Sequence, residues 1–449
     1  MALSGMLQTL KVALIGAIGR LEKSLDPKDR LHKLQQHEFT WADSIYAFHL
    51  TLASFWIYLL PVPLLLKLIA VAVFTLGLFI PLTSQFLMPA LPVLTYLLSF
   101  FSSRFIPSNW RPNISVVLLP TLESVLYGAN ISDILTRYTH PLLDAVAWFP
   151  YGVLHYSLPF ILAIFVWLFR HKSVLHLWSS TLGYLMLSGV LLQLVFPCAA
   201  PWYELVYGLT PANYDIKGSP GGLIRIDRMF HQNGYTTAFT NSPLVFGAFP
   251  SLHSGAATLE ALFLSHFFPQ TTKYAWGYAG ILYWATMYLT HHYLVDVVGG
   301  ACMATAFFYL FLPDELKHPS AATAPPTGLS GNAHRMGTQR SKYAIYDLEA
   351  PSSASLNRGI LSEVAAAADF ELSSDEEEDH QEIRRPGSKA SRSQSNERKG
   401  HRHTASIARL IRSDSDRRTG EEGWSPTIAP AELAAEGSSS RSASRLGRV

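Results

Sequence analysis

Between residues 44 and 312 the chain is a succession of apolar runs, each near the length that crosses a bilayer. Eight are read, at 44–60, 64–80, 87–101, 149–169, 174–196, 253–268, 274–289 and 292–312. Pro61-Val62-Pro63 and the stretch 81–85 divide the first three. Runs this short between prolines also fit one helix plus a re-entrant segment, which gives six spans in the alternative count. Charge is scarce here: of the 68 Asp, Glu, Lys and Arg residues, 39 follow Pro313, leaving 29 for everything before it. A body so rich in Leu, Phe, Tyr and Trp has too little polar surface for a water-soluble exterior. The expected fold class is all-α, a polytopic integral membrane helical bundle.

Three regions follow from the change in composition. Residues 1–43 carry Lys11, Arg20, Lys23, Lys28, Arg30 and Lys33 in an amphipathic pattern, without the cleavage site of a secretory signal, and read as a cytosolic membrane-surface segment. Residues 44–312 are the transmembrane domain. Residues 313–449 are Ser-, Ala-, Arg- and Glu-rich and are expected to be a disordered cytosolic tail, with Ser373 and Ser374 beside the acidic block 375–379 as phosphorylation candidates. With eight spans, the basic N-terminus, the Arg170-His171-Lys172 turn, Lys273 and the tail share the cytosolic side. The loops 102–148 and 197–250 then share the opposite, lumenal side, which suits the sequons at Asn113 and Asn130. A net formal charge of +2 gives no reason to expect nucleic acid. Cys198 and Cys302 lie in different apolar runs and suggest neither a disulfide framework nor a thiolate metal site.

Two motifs place ionisable groups where hydrocarbon begins: GAFPSLHSG at 247–255, and THHYLVDVVGG at 290–300. His292 and Asp296 are four residues apart and share a helix face, so the carboxylate can orient the imidazole. A carboxylate about one turn inside the membrane needs a partner. Alone, the pair could simply satisfy each other. A hairpin of two spans returns His253 to the same level, and the three side chains together supply a nucleophile, a proton shuttle and an orienting acid. No third ligand or thiolate supports zinc, so no metal and no cofactor are expected. Upstream, the loop 217–228 combines Lys217, Arg225 and Arg228 with glycines that let backbone approach a phosphate. Asp227, Asp215 and Glu204 are candidates for polyol hydroxyls. A solvated loop would show the same composition.

These two motifs resemble the second and third motifs of the PAP2 phosphatase/phosphotransferase superfamily. Together with the loop APWYELVYGLTPANYDIKGSPGGLIRID and the segment WFPYGVLHYSLP they are similar to the fungal inositol phosphorylceramide synthase family, over residues 40 to 312. Leu252 stands where the superfamily has glycine, and Ala285-Thr286 where it has Ser-Arg, so a phosphate-binding arginine is missing. Arg225 or Arg228 could replace it; Arg104-x6-Arg111-Pro112 is a loose echo of the first superfamily motif. The resemblance implies a metal-independent phosphotransferase. His292, oriented by Asp296, would take phosphoinositol from phosphatidylinositol, and His253 would protonate diacylglycerol and then activate ceramide. Lys217, Arg225, Asp227, Arg228 and His291 would bind phosphate or inositol. It also implies a Golgi membrane location with a lumenal site, and a small regulatory subunit as partner. Alternatives are a lipid phosphatase or sphingomyelin-type synthase of the same fold, or a proton-coupled transporter using the same three side chains as a relay.

Overall fold

The computed structural model describes residues 2–326, and the remainder of the expected tail, Ser373 and Ser374 included, lies outside them. Helices α1 (Ala2–Gly19) and α2 (Pro27–Gln35) precede the apolar runs. The first three runs become α3 (Ser44–Leu59), α4 (Leu64–Phe79) and α5 (Pro81–Ser102). The stretch 81–85 opens α5 rather than dividing two runs. Pro81 sits at its first position, where the missing N–H costs nothing.

The expected lumenal loops contain several short helices. The first holds α6 (Leu118–Tyr127), α7 (Ile131–Thr136) and α8 (Pro141–Trp148), and a π-helical turn, Phe149–Leu154, joins α8 to α9 (His155–Phe169). After α10 (Lys172–Val195), the second holds α11 (Pro201–Tyr207), α12 (Leu223–Met229) and α13 (Gly234–Thr240). Then come α14 (Leu252–Phe267), α15 (Thr272–Tyr288), α16 (Leu294–Phe311) and α17 (Pro319–Ala322). The described residues contain two isolated β-bridges, Ser115 to Cys198 and Cys198 to Gly247, and no strand. Four segments are long and apolar enough to cross a membrane, Pro81–Phe105, Pro141–Phe169, Lys172–Val195 and Leu294–Phe311. The helices α3, α4, α14 and α15 are apolar but shorter, at 16 or 17 residues. The chain is an all-α, multi-pass membrane protein.

One end of the bundle gathers the basic segments. Arg20 donates to the Trp167 carbonyl, Arg170 donates to the Phe267 carbonyl, and His266 bonds the Leu316 carbonyl. The first residues after Pro313 thus pack on the bundle, with a short helical turn at Asp314–Leu316. Leu316 and Ala322 are buried against Phe263, Phe267 and Phe308, closing the apolar core between α9, α10, α14 and α16. The histidine motifs begin α14 and α16 at the other end.

Close approach of α14 and α16 there depends on small residues. A Cβ at Gly300 would collide with the Ser251 carbonyl and the Ser254 hydroxyl, so any larger residue would part the helices. Ser254 Oγ donates to the Val297 carbonyl at 2.8 Å, and the Ser251 N–H to the Asp296 carbonyl at 3.1 Å. These bonds tie the backbones of the two motifs directly. Between α10 and α5, Gly183 lies against Pro92, where again no Cβ fits.

Candidate active site

Ser251 caps α14 by accepting from the Ser254 N–H, which starts the helix one residue before His253. The preceding segment 247–250 is pinned from behind. Cys198 N–H donates to the Phe246 carbonyl, Ala248 N–H to the Cys198 carbonyl, and Gln193 Nε2 to the Pro250 carbonyl. The second motif leaves α15 through Thr290, a β-branched residue held at φ 64°. That left-handed step is a strained conformation of the kind found at functional sites. It lets the N–H groups of His291 and His292 both donate to the Thr286 carbonyl, at 3.0 and 3.3 Å. Thr286 occupies one of the positions where the superfamily has Ser-Arg, and it serves through its backbone.

The result is one cluster. His253 Nδ1 lies 3.3 Å from His292 Nε2. His292 Nδ1 lies 3.0 Å from the Ala248 carbonyl and 3.6 Å from Asp296 Oδ2. A carbonyl only accepts, so Nδ1 carries the proton of the neutral ring and Nε2, facing His253, keeps its lone pair. This changes the division of labour expected from spacing: Ala248 holds the tautomer, and Asp296 contributes charge from just beyond hydrogen-bond range. Asp296 Oδ2 accepts from the Tyr293 N–H at 2.9 Å, while Oδ1 is buried without a hydrogen-bond partner. Asp296 is 0 % exposed.

Two residues not singled out from the sequence complete the cluster. Tyr151, from the π-helical turn, stacks on His253 with ring centroids 4.5 Å apart and on His291 at 5.4 Å. His155, at the start of α9, lies 4.5 Å from His253 on centroids. Tyr151 Oη and His155 Nδ1 are both buried without a hydrogen-bond partner. The clue was the π-turn itself, since such turns recur at functional sites; its sequence, Phe-Pro-Tyr-Gly-Val-Leu, gives no periodic signal.

The expected phosphate and inositol ligands are distributed differently. His291 Nε2 donates to the Pro220 carbonyl at 3.1 Å, and its ring stacks on Phe239 as well as Tyr151. Burial, then the neighbouring His292, push His291 down to about 3, so it stands as a neutral spacer. Arg225 pairs with buried Asp144 at 2.8 Å, and Tyr288 Oη donates to the same carboxylate. Arg225 and exposed Arg228 line an open cleft of about 500 Å³ with Thr139, His140 and Pro141. Lys217 is exposed. The Asp227 carboxylate accepts from Tyr235 N–H, Thr236 N–H and Thr236 Oγ1, so it serves as a cap of α13. Asp215 is exposed, and Glu204 accepts from Asn130 Nδ2 and Tyr293 Oη. Arg111 clamps the carbonyls of Ser103, Arg104 and Ile106. The Asn130 sequon is likewise committed, with its amide on Glu204 and Ser132 buried, whereas Asn113 is exposed.

Residues 119–310 match the PAP2 superfamily. The chain is 48% identical to the inositol phosphorylceramide synthase catalytic subunit of Schizosaccharomyces pombe, over 64% of this chain and 69% of the relative. It is 44% identical to that of Saccharomyces cerevisiae, over 66% and 75%, and 46% identical to the inositol phosphorylceramide synthase of Candida albicans, over 63% and 61%. The chain belongs to the inositol phosphorylceramide synthase family. No solved structure matches it. For a phosphotransferase of this synthase family the paired imidazoles are the chemically competent feature. One nitrogen with a free lone pair faces a second ring across 3.3 Å, in a cluster roofed by aromatic rings.

Proposed function

We propose that the chain transfers phosphoinositol from phosphatidylinositol to the primary hydroxyl of ceramide, releasing diacylglycerol. The observation that carries this reading is the 3.3 Å approach of His253 Nδ1 to His292 Nε2. His292 Nε2 attacks phosphorus; the bond from phosphorus to the diacylglycerol oxygen breaks, and His253 delivers a proton to that oxygen. The ceramide hydroxyl then gives its proton to His253 and attacks phosphorus, the phosphorus–nitrogen bond breaks, and His292 is regenerated. His253 Nδ1 stands 3.3 Å from the attacking nitrogen, which places its proton beside the reacting centre. The imidazole becomes cationic while phosphorylated, which the buried Asp296 favours.

Burial of His292 and Asp296 at a helix mouth supports transfer over hydrolysis, since lipids arrive through hydrocarbon while water is scarce. The segregation of basic segments at the opposite end of the bundle supports a lumenal site. The family supports a Golgi membrane location. Two relatives are named catalytic subunits, which supports a small regulatory subunit as partner.

Purified protein given labelled phosphatidylinositol and ceramide is expected to yield inositol phosphorylceramide. With phosphatidylinositol alone it should accumulate an acid-labile phosphohistidine. Free inositol phosphate without a sphingolipid product would make it a hydrolase, and no lipid turnover at all would leave the proton-relay transporter. Orientation has its own test: an endoglycosidase-sensitive mass shift lost in Asn113→Gln puts the loop 102–148 in the lumen.

A further inference from the structure

The helix that carries Asp296 is capped locally, by Asp296 Oδ2 on the Tyr293 N–H, and also from elsewhere in the chain. The N-cap residue of α16 is Tyr293, whose side chain makes no cap hydrogen bond. Its hydroxyl donates instead to Glu204 at 2.8 Å. The first-turn donor Val295 N–H goes to Glu123 Oε2 of α6 at 3.2 Å, and the Leu294 N–H also faces that carboxylate. Glu123 Oε1 accepts from the Ile131 N–H at 3.0 Å, the first residue of α7. One carboxylate, 0 % exposed, thus caps two helices, and among the described residues no salt bridge to it is found. The groups facing it are acidic or neutral: Asp296 on α16, Tyr293 at its N-cap, and Glu204 of α11 beyond the tyrosine.

A helix N-terminus carries about half a positive charge. His292 sits two residues before α16, so that charge opposes the cation formed when its ring is phosphorylated. A carboxylate on the exposed N–H groups cancels it and fixes the turn between His292 and Asp296 at once. We propose that Glu123, in its ionised form, is a positioning residue for the histidine step, acting through the first turn of α16. The inference rests on the phosphotransferase reading above. Burial pushes the Glu123 carboxyl up, its backbone donors pull it down, and the charge of Asp296 pushes it up again, with a net rise. The ionised form is therefore lost as pH falls through a carboxyl pKa above the usual range, and activity falls with it.

The test is kinetic. In full-length protein, Glu123→Gln is expected to lower kcat about tenfold to a hundredfold, the range of a lost charged cap. KM for phosphatidylinositol should stay within about threefold, and the part of the acid limb due to Glu123 should vanish. Ser132→Ala, which removes a buried bond to the Met287 carbonyl beside the same helices, is the stability control. It should lower the melting temperature without reshaping the pH profile. If Glu123 variants do not fold, Leu294→Pro carries the test. Proline fits the first helical position, and Tyr293 before it is already extended. Losing that donor raises the Glu123 carboxyl further, so the acid limb should move to higher pH. An unchanged kcat in Glu123→Gln, a loss matched by Ser132→Ala with the limb unmoved, or an unmoved limb in Leu294→Pro would each overturn the inference. Absence of lipid product from the unsubstituted protein would instead sink the phosphotransferase reading.

Discussion

The two histidine motifs and the cationic loop 217–228 carry equally suggestive residues, yet the fold treats them in opposite ways. In the motifs, His253, His292 and Asp296 meet within 3.6 Å, each launched from the first turn or mouth of a long helix. In the loop, the side chains disperse into structural bonds: Arg225 to Asp144, Asp227 to the start of α13, with Lys217 and Arg228 exposed. Helices transmit position, because a residue at a helix start inherits the packing of the whole rod. A glycine-rich loop satisfies its charges with whatever lies nearest.

The largest effect should come from His292→Ala, which ought to abolish lipid transfer by at least about a thousandfold while leaving the melting temperature close to that of the parent. Folded protein that retains activity would show that the motifs and the loop have been ranked in the wrong order. Gly300→Val should come next. Forcing α14 and α16 apart is expected to cost about 1–3 kcal/mol of stability and to drop kcat steeply, seen in paired unfolding and turnover measurements. Asp296→Asn tests whether charge or geometry dominates. Because Ala248 already holds the His292 tautomer, a loss of about tenfold to a hundredfold in kcat is expected, smaller than for His292→Ala. Asp227→Ala should matter least to chemistry. It ought to cost about 1 kcal/mol of stability through the lost cap and leave KM for phosphatidylinositol unchanged. A marked KM increase would return Asp227 to the substrate and blunt the contrast.

Part of the site was legible in the sequence, since the i, i+4 spacing of His292 and Asp296 marks them as a pair. The expected shared helix face is not how they meet: His292 lies two residues before α16, and the turn that follows Thr290 brings its ring within 3.6 Å of Asp296. What escaped the reading was set across long separations. Tyr151 and His155 reach His253 from a hundred residues upstream through a π-turn with no periodic signature. The Ala248 carbonyl takes a role that spacing assigned to a carboxylate, because a backbone acceptor leaves no trace in residue type. Leu316 and Ala322 looked like the start of a polar tail; two apolar side chains are enough to seal a core that needs closing.

Membrane insertion and helix class are thus properties of the sequence alone, since hydrophobicity and helical period act over a few residues. Which cations face the site, which oxygen orients the nucleophile and which acid caps its helix were decided only by tertiary packing. Buried polar atoms there bond to the partners that the fold brings within about 3 Å, and that choice depends on the whole chain.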